Sequence, residues 1–111
     1  MIKLIDPISG KPLSKISKID GIDDLFFDDN ELTKKMANFY NDIKFPSYYD
    51  IDDFSTLLAK NSSNFFLSQL DKHIPYKSSI LEAGCGTGQL GISLSRFSRH
   101  IYSIDISSGS L

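Results

Sequence analysis

The sequence predicts an α/β fold in which a turn-rich, helical N-terminal region is followed by a parallel βαβ unit. Three observations carry this: a short apolar run over 79–82, a glycine cluster at 84, 86, 88 and 91, and a helical apolar pattern that gives way to alternation over 101–106. Two strands joined by one crossover helix pair in parallel, and such connections are right-handed.

Taken in order, residues 1–24 hold Pro7, Gly10 and Pro12 close together, which predicts turns and a short hairpin around Ser9 and Gly10. Leu13, Ile16, Ile19 and Ile22 recur every three residues, a spacing that matches neither a strand nor a helix. Asn30 is a capping residue, and Leu32, Met36, Phe39 and Tyr40 share one face of a helix expected to reach about Asn41. Pro46 interrupts it. Asp52 or Asp53 then caps a helix expected over about 53–73, with Asn61, Ser62 and Ser63 weak enough in helix propensity to kink it and Pro75 closing it. A strand over 79–82, a helix over 89–99 and a strand over 101–106 complete the chain. The expected division is a turn-rich and helical region over 1–52 and the start of the α/β domain over 53–111.

Composition narrows the class. With 111 residues, a formal charge of −2, 41% hydrophobic and 23% charged residues, the chain has the balance of a globular protein. There is no apolar run near the roughly 20 residues of a membrane span, and no signal-peptide pattern at the start, so a cytoplasmic location is expected. A Lys/Arg block of the sort that tracks a nucleic-acid backbone is absent. The single cysteine, Cys85, excludes an intramolecular disulfide and a multi-cysteine zinc site.

The chemistry is concentrated in ILEAGCGTGQLG, residues 80–91. Glycines permit a tight strand-to-helix turn and remove the Cβ atoms that would hold a ligand off the backbone. Such a loop and the helix start after it are expected to present unpaired N–H groups, which suit a carboxylate. Twenty-one positions beyond Gly84, Asp105 ends the second strand, where a carboxylate can accept hydrogen bonds from two vicinal ribose hydroxyls. An adenosine-type ligand across the strand ends follows from this spacing.

These residues resemble motif I, the first helix and motif II of class I S-adenosylmethionine-dependent methyltransferases, matched without a gap over 33 of the 111 residues, 79–111. The resemblance implies a Rossmann-like domain with S-adenosylmethionine as cofactor. Gly84, Gly86 and Gly88 would border its methionine part, Glu82 would organise the loop beneath, and Asp105 would hold the ribose hydroxyls. Cys85 and Ile106 complete the expected cofactor-binding set. The family's sheet has seven strands, so the resemblance also implies that this chain is the N-terminal part of such a domain, with an exposed sheet edge and marginal stability. Acceptor-side residues in the family come largely after the fourth strand. No catalytic residue is therefore assigned, and the methyl acceptor, a small molecule or a macromolecule, stays open.

Two other classes remain. Gly86, Gly88 and Gly91 also spell GxGxxG, the fingerprint of NAD(P)- or FAD-binding oxidoreductases. Against that, Glu82 lies two residues before the first glycine, where a pyrophosphate binder gains nothing from negative charge, and only fourteen residues separate Gly91 from Asp105. The other class is a methyltransferase-like binding module without turnover.

The remaining polar candidates have plainer readings. Cys85 has no His partner nearby in sequence and is expected to pack rather than react. His73 and His100 are expected in solvated or capping roles. The acidic groups Asp23, Asp24, Asp28 and Asp29, and Asp50, Asp52 and Asp53, match no calcium-loop spacing. DPISGKPL faintly resembles a zinc-ribbon cap found before some methyltransferase domains, with Asp6 and Ser9 where that pattern has cysteines, so no metal is expected. Phe45, Pro46, Tyr48 and Tyr49 precede the long helix; in related enzymes such segments close over the cofactor, and core packing of the rings is the alternative.

Overall fold

A computed structural model describes residues 3–25 and 30–111; Asp28 and Asp29 lie outside the described residues. The N-terminal turns form as the Pro and Gly spacing implies. Ile5 and Pro12 make an antiparallel bridge, and the Asp6 carboxylate accepts from the Ile8 N–H at 2.9 Å and the Ser9 hydroxyl at 2.6 Å. Strands β1 (Ser17–Ile19) and β2 (Ile22–Asp24) then form a hairpin around a two-residue Asp20-Gly21 turn. Ile19 and Ile22 face each other across that turn, which explains why their spacing of three matched no single element. Both turn residues have positive φ, 50° and 86°, the geometry that suits the twist of the flanking strands.

Helix α1 (Glu31–Asp42) starts at Asn30, whose side chain accepts from the Leu32 N–H at 2.8 Å. Its apolar residues Leu32, Met36, Phe39 and Tyr40 remain exposed. The single helix expected over 53–73 is two: α2 (Phe54–Ser63), capped by Asp53, and α3 (Phe65–His73). The break falls at Asn64, whose backbone is extended (φ −85°, ψ 119°) and whose side chain accepts from the Leu67 N–H at 3.1 Å. Asn61 remains within α2, its carbonyl accepting from the Asn64 N–H, and donates its side-chain amide to Ser93 Oγ across the interface. The Asn/Ser run thus ends one helix and starts another where a kink was expected, because Asn competes for backbone hydrogen bonds most effectively as an N-cap.

Strands β3 (Ser79–Ala83) and β4 (His100–Ile104) pair in parallel, with Ile80 opposite Ile101 and Glu82 opposite Ser103. Between them α4 spans only Gln89–Leu94, shorter than the 89–99 expected. The chain leaves the helix because Phe97 and Ser98 take left-handed backbone (φ 61° and 56°) and the side chain of Arg99 turns back to the helix end. One face of the two-stranded sheet, Ile80, Glu82, Ile101 and Ser103, meets α4, while Leu81 and Ile104 on the other face are 67% and 46% exposed. Mixed α/β architecture with a small parallel sheet is therefore what the chain forms.

Arg99 holds the helices together. Its side chain is fully buried and donates to Asp71 Oδ1 at 2.6 Å, to the backbone carbonyls of Asp71 and Ile74 at 2.8 and 2.7 Å, and more weakly to those of Leu94 and Pro75. It thereby satisfies carbonyls at the C-terminal ends of both α3 and α4, where a cation is also favoured by the helix dipoles. Arg96 adds a second contact to Asp71 at 2.5 Å, and the Phe97 ring lies beneath both guanidinium groups with Tyr76 stacked on it. Replacing Arg99 with Met should cost about 3 kcal/mol, the usual penalty for removing one partner of a buried charge pair. Urea denaturation followed by circular dichroism would register it as a lower midpoint.

Candidate functional site

The loop over 84–88 is shaped by where its backbone N–H groups go. Those of Gly84 and Cys85 both donate to the Ile104 carbonyl, at 2.8 and 3.1 Å. The Gly86 N–H donates to Asp105 Oδ2 at 2.6 Å, the Thr87 N–H to the Phe45 carbonyl at 3.2 Å, and the Gly88 N–H to the Cys85 carbonyl at 2.9 Å. The expectation of unpaired N–H groups in this loop is therefore corrected: all five have partners within the chain. The acceptors are the end of β4, the loop's own Cys85 carbonyl, and Phe45 of a segment, 45–48, that lies against the loop although it is about forty positions earlier.

Asp105 directly follows β4, as its spacing from the glycines implied. It is half-buried, and its second oxygen accepts from the Ser107 N–H at 2.8 Å. Each carboxylate oxygen thus takes one backbone N–H and keeps a further lone pair for another donor. Ile106 follows with its side chain partly exposed. The Glu82 carboxylate accepts from Ser103 Oγ at 3.0 Å and sits beneath α4 at Gly91. A Cβ at Gly91 would collide with Glu82 Oε2 and come within 3.0 Å of Ile101, so this glycine lets the helix lie directly on the sheet.

Cys85 is buried, and its thiol is pushed above the ordinary value by that burial and then by the nearby charges of Glu82 and Asp105. A neutral, enclosed thiol is a packing group, as the sequence suggested. His73 Nδ1 lies 2.7 Å from the Gln69 carbonyl at the end of α3, and His100 is exposed at the start of β4. Among the described residues, no group of three or more His, Cys, Asp or Glu stands together in a way that could hold a metal ion. No helix among them is long and apolar enough to cross a membrane.

Residues 45–48 form a strap over the loop. The carbonyl of Phe45 occupies the space that a Cβ on Gly86 would fill, and Gly86 itself has φ +54°. Thr87 Oγ1 donates to the Pro46 carbonyl, Gln89 Nε2 to that of Ser47 at 2.7 Å, and Tyr48 Oη to the Thr87 carbonyl at 3.0 Å. The Tyr48 hydroxyl is held above its usual pKa by partial burial and then by the charge of Glu82. Tyr49, by contrast, is 84% exposed. Thr87 and Gln89 were not singled out by sequence reasoning. Their partners are backbone carbonyls far along the chain, which no local pattern announces. An apolar groove of about 220 Å³ lies elsewhere, between Leu70, Ile74, Ile80, Leu90 and Ile101, and the loop residues 84–88 do not line it.

Comparison with protein-family models, with curated proteins and with solved structures finds no match to this chain.

Two outcomes follow from the geometry. Gly86→Ala should destabilise the chain by at least about 1 to 2 kcal/mol from left-handed backbone alone, with a further loss as the strap is pushed off; thermal unfolding would measure it. Cys85 in the folded chain should react with iodoacetamide at pH 8 roughly tenfold more slowly than in urea, since both burial and the raised pKa suppress the thiolate.

Proposed function

We propose that the loop and the strand ends beside it bind S-adenosylmethionine, and that the chain is the cofactor-binding part of a class I methyltransferase. The observation that carries this reading is the meeting of the glycine loop with Asp105 at the ends of two adjacent parallel strands. In a parallel sheet, that is where nucleotide-type ligands are held. The resemblance of residues 79–111 to motifs I and II supports the same assignment.

The residues present fit such a ligand. The hollow left by the missing Cβ of Gly86 already accommodates a carbonyl oxygen, with the Thr87 N–H donating to it, so an oxygen acceptor is the chemistry this cradle takes. A carboxylate belongs to the same class and would be bound more strongly. The spare lone pairs of Asp105 suit ribose hydroxyls. When bound, S-adenosylmethionine supplies an electrophilic methyl group on its sulfonium. The protein's contribution is to fix the donor's two ends, the amino-acid end at Gly86 and Thr87 and the ribose at Asp105, so that an acceptor can approach in line.

A dinucleotide reading draws on one specific feature, the close helix-to-sheet contact at Gly91, which the third glycine of GxGxxG also provides. Calorimetric titration with S-adenosylhomocysteine and, separately, NAD discriminates the two. Saturable binding of S-adenosylhomocysteine alone is expected, weakened in Asp105→Asn by the roughly 1 to 3 kcal/mol of a charged hydrogen-bond acceptor. NAD binding without S-adenosylhomocysteine binding would transfer the assignment to the oxidoreductase class. Failure of both ligands with chain shown to be folded by circular dichroism would overturn the proposal.

A further inference from the structure

The strap over 45–48 holds on to the loop in an unusual way. Phe45 is 69% exposed, Tyr48 40% and Tyr49 84%, so little apolar surface is buried by its closure. What holds it is polar. Thr87 donates through both its N–H and its hydroxyl, to Phe45 and Pro46; Gln89 donates to Ser47, and Tyr48 donates back to Thr87. Bonds of this kind are individually modest, because water replaces them when they open.

The segment is also suspended between fixed points. On one side, Asn41 at the end of α1 accepts from the Ser107 hydroxyl at 2.9 Å and the Gly109 N–H at 3.0 Å, tying α1 to the turn after β4. On the other, the Asp53 carboxylate caps α2 through the Thr56 N–H at 2.7 Å. Opening the strap therefore requires neither helix to leave its place. Closed, it puts a carbonyl oxygen on the Thr87 N–H and against Gly86, the two features that would otherwise receive an oxygen of the ligand.

We infer that the Phe45–Tyr48 strap is an intramolecular stand-in for the ligand: the Phe45 carbonyl fills the loop's oxygen position, and cofactor binding requires the strap to release it. This rests on the S-adenosylmethionine reading of the loop and adds its regulation. The apparent affinity is then lowered by the fraction of molecules in which the strap is closed, and any change that weakens the latch without touching the cradle raises it. Tyr48→Phe removes the hydroxyl bond to the Thr87 carbonyl and keeps the ring. Gln89→Met removes the bond to the Ser47 carbonyl and leaves Gly86 and Thr87 unaltered.

The test uses the 111-residue chain and both variants, with S-adenosylhomocysteine as the probe. Calorimetry gives the dissociation constant, and hydrogen exchange without ligand gives the opening of the Thr87 amide, with β3 and β4 amides as an internal measure of folding. Loss of one latch bond should tighten binding and speed Thr87 exchange by the same factor, roughly 2- to 12-fold, in each variant. Binding by the variants alone, with none detected in the parent chain, would support the inference in its strongest form. Binding to all three with unchanged or weakened affinity in the variants would overturn it, making the strap a wall of the site while the cofactor reading stands. No binding to any of them, with β3 and β4 protected, would overturn the cofactor reading and this inference with it.

Discussion

A single carboxylate joins the parts of this chain that matter for binding. Asp105 receives the Gly86 N–H on one oxygen and the Ser107 N–H on the other, so the loop after β3 and the turn after β4 are held by the same side chain. Ser107, fully buried, passes the connection to Asn41 at the end of α1. The Gly86 conformation, the seat of the strap and the position of α1 all follow from that node. A charge-assisted bond to a backbone N–H is among the stronger single interactions available to a small protein, and here two of them meet at the point where the strand ends open towards solvent.

Polar bonds dominate because apolar burial is sparse. Leu57, Cys85 and Leu94 are the buried hydrophobic residues among those described, and the chain exposes 8425 Å², against the ~6100 Å² of a compact monomer of its mass. The radius of gyration, 15.9 Å, likewise exceeds the ~13 Å typical of this length. In place of a large core, the helices are fastened by Arg99 at their C-terminal ends, by Asn61 to Ser93, and by Gly91 where α4 meets Glu82. Structures held in this manner open locally at low cost, which is the property a strap over a binding loop needs.

Local chemistry was the legible part of the sequence. Asn30 and Asp53 cap helices as their side chains imply, the strand pairing is parallel, and Asp105 stands beside the glycine loop at the spacing that suggested it. What the sequence concealed was of two kinds. Competition between neighbouring local preferences decided the break at Asn64 and the early end of α4, where a cap and two left-handed residues overrode helical periodicity. The Asp20-Gly21 hairpin was hidden differently, since a two-residue turn folds a period of three back on itself. Long-range partners were invisible altogether: nothing near Thr87 or Gln89 indicates that their hydrogen bonds end on the carbonyls of residues 45–47. Of the loop amides read locally as unpaired, that of Thr87 is satisfied by the same distant segment, and those of Gly84, Cys85 and Gly86 by Ile104 and Asp105 at the end of the next strand.

The most direct test of the cofactor assignment is residue-resolved. Two-dimensional ¹H–¹⁵N spectra of the chain, recorded through a titration with S-adenosylhomocysteine, follow the amides of Gly84, Gly86, Thr87, Gly88 and Ile106 individually. If the loop and Asp105 bind the cofactor, these resonances and those of residues 45–48 shift together and saturate, while the β1–β2 hairpin stays unmoved. Saturable shifts confined to any other surface, or none in a spectrum with the dispersion of a folded chain, would contradict it.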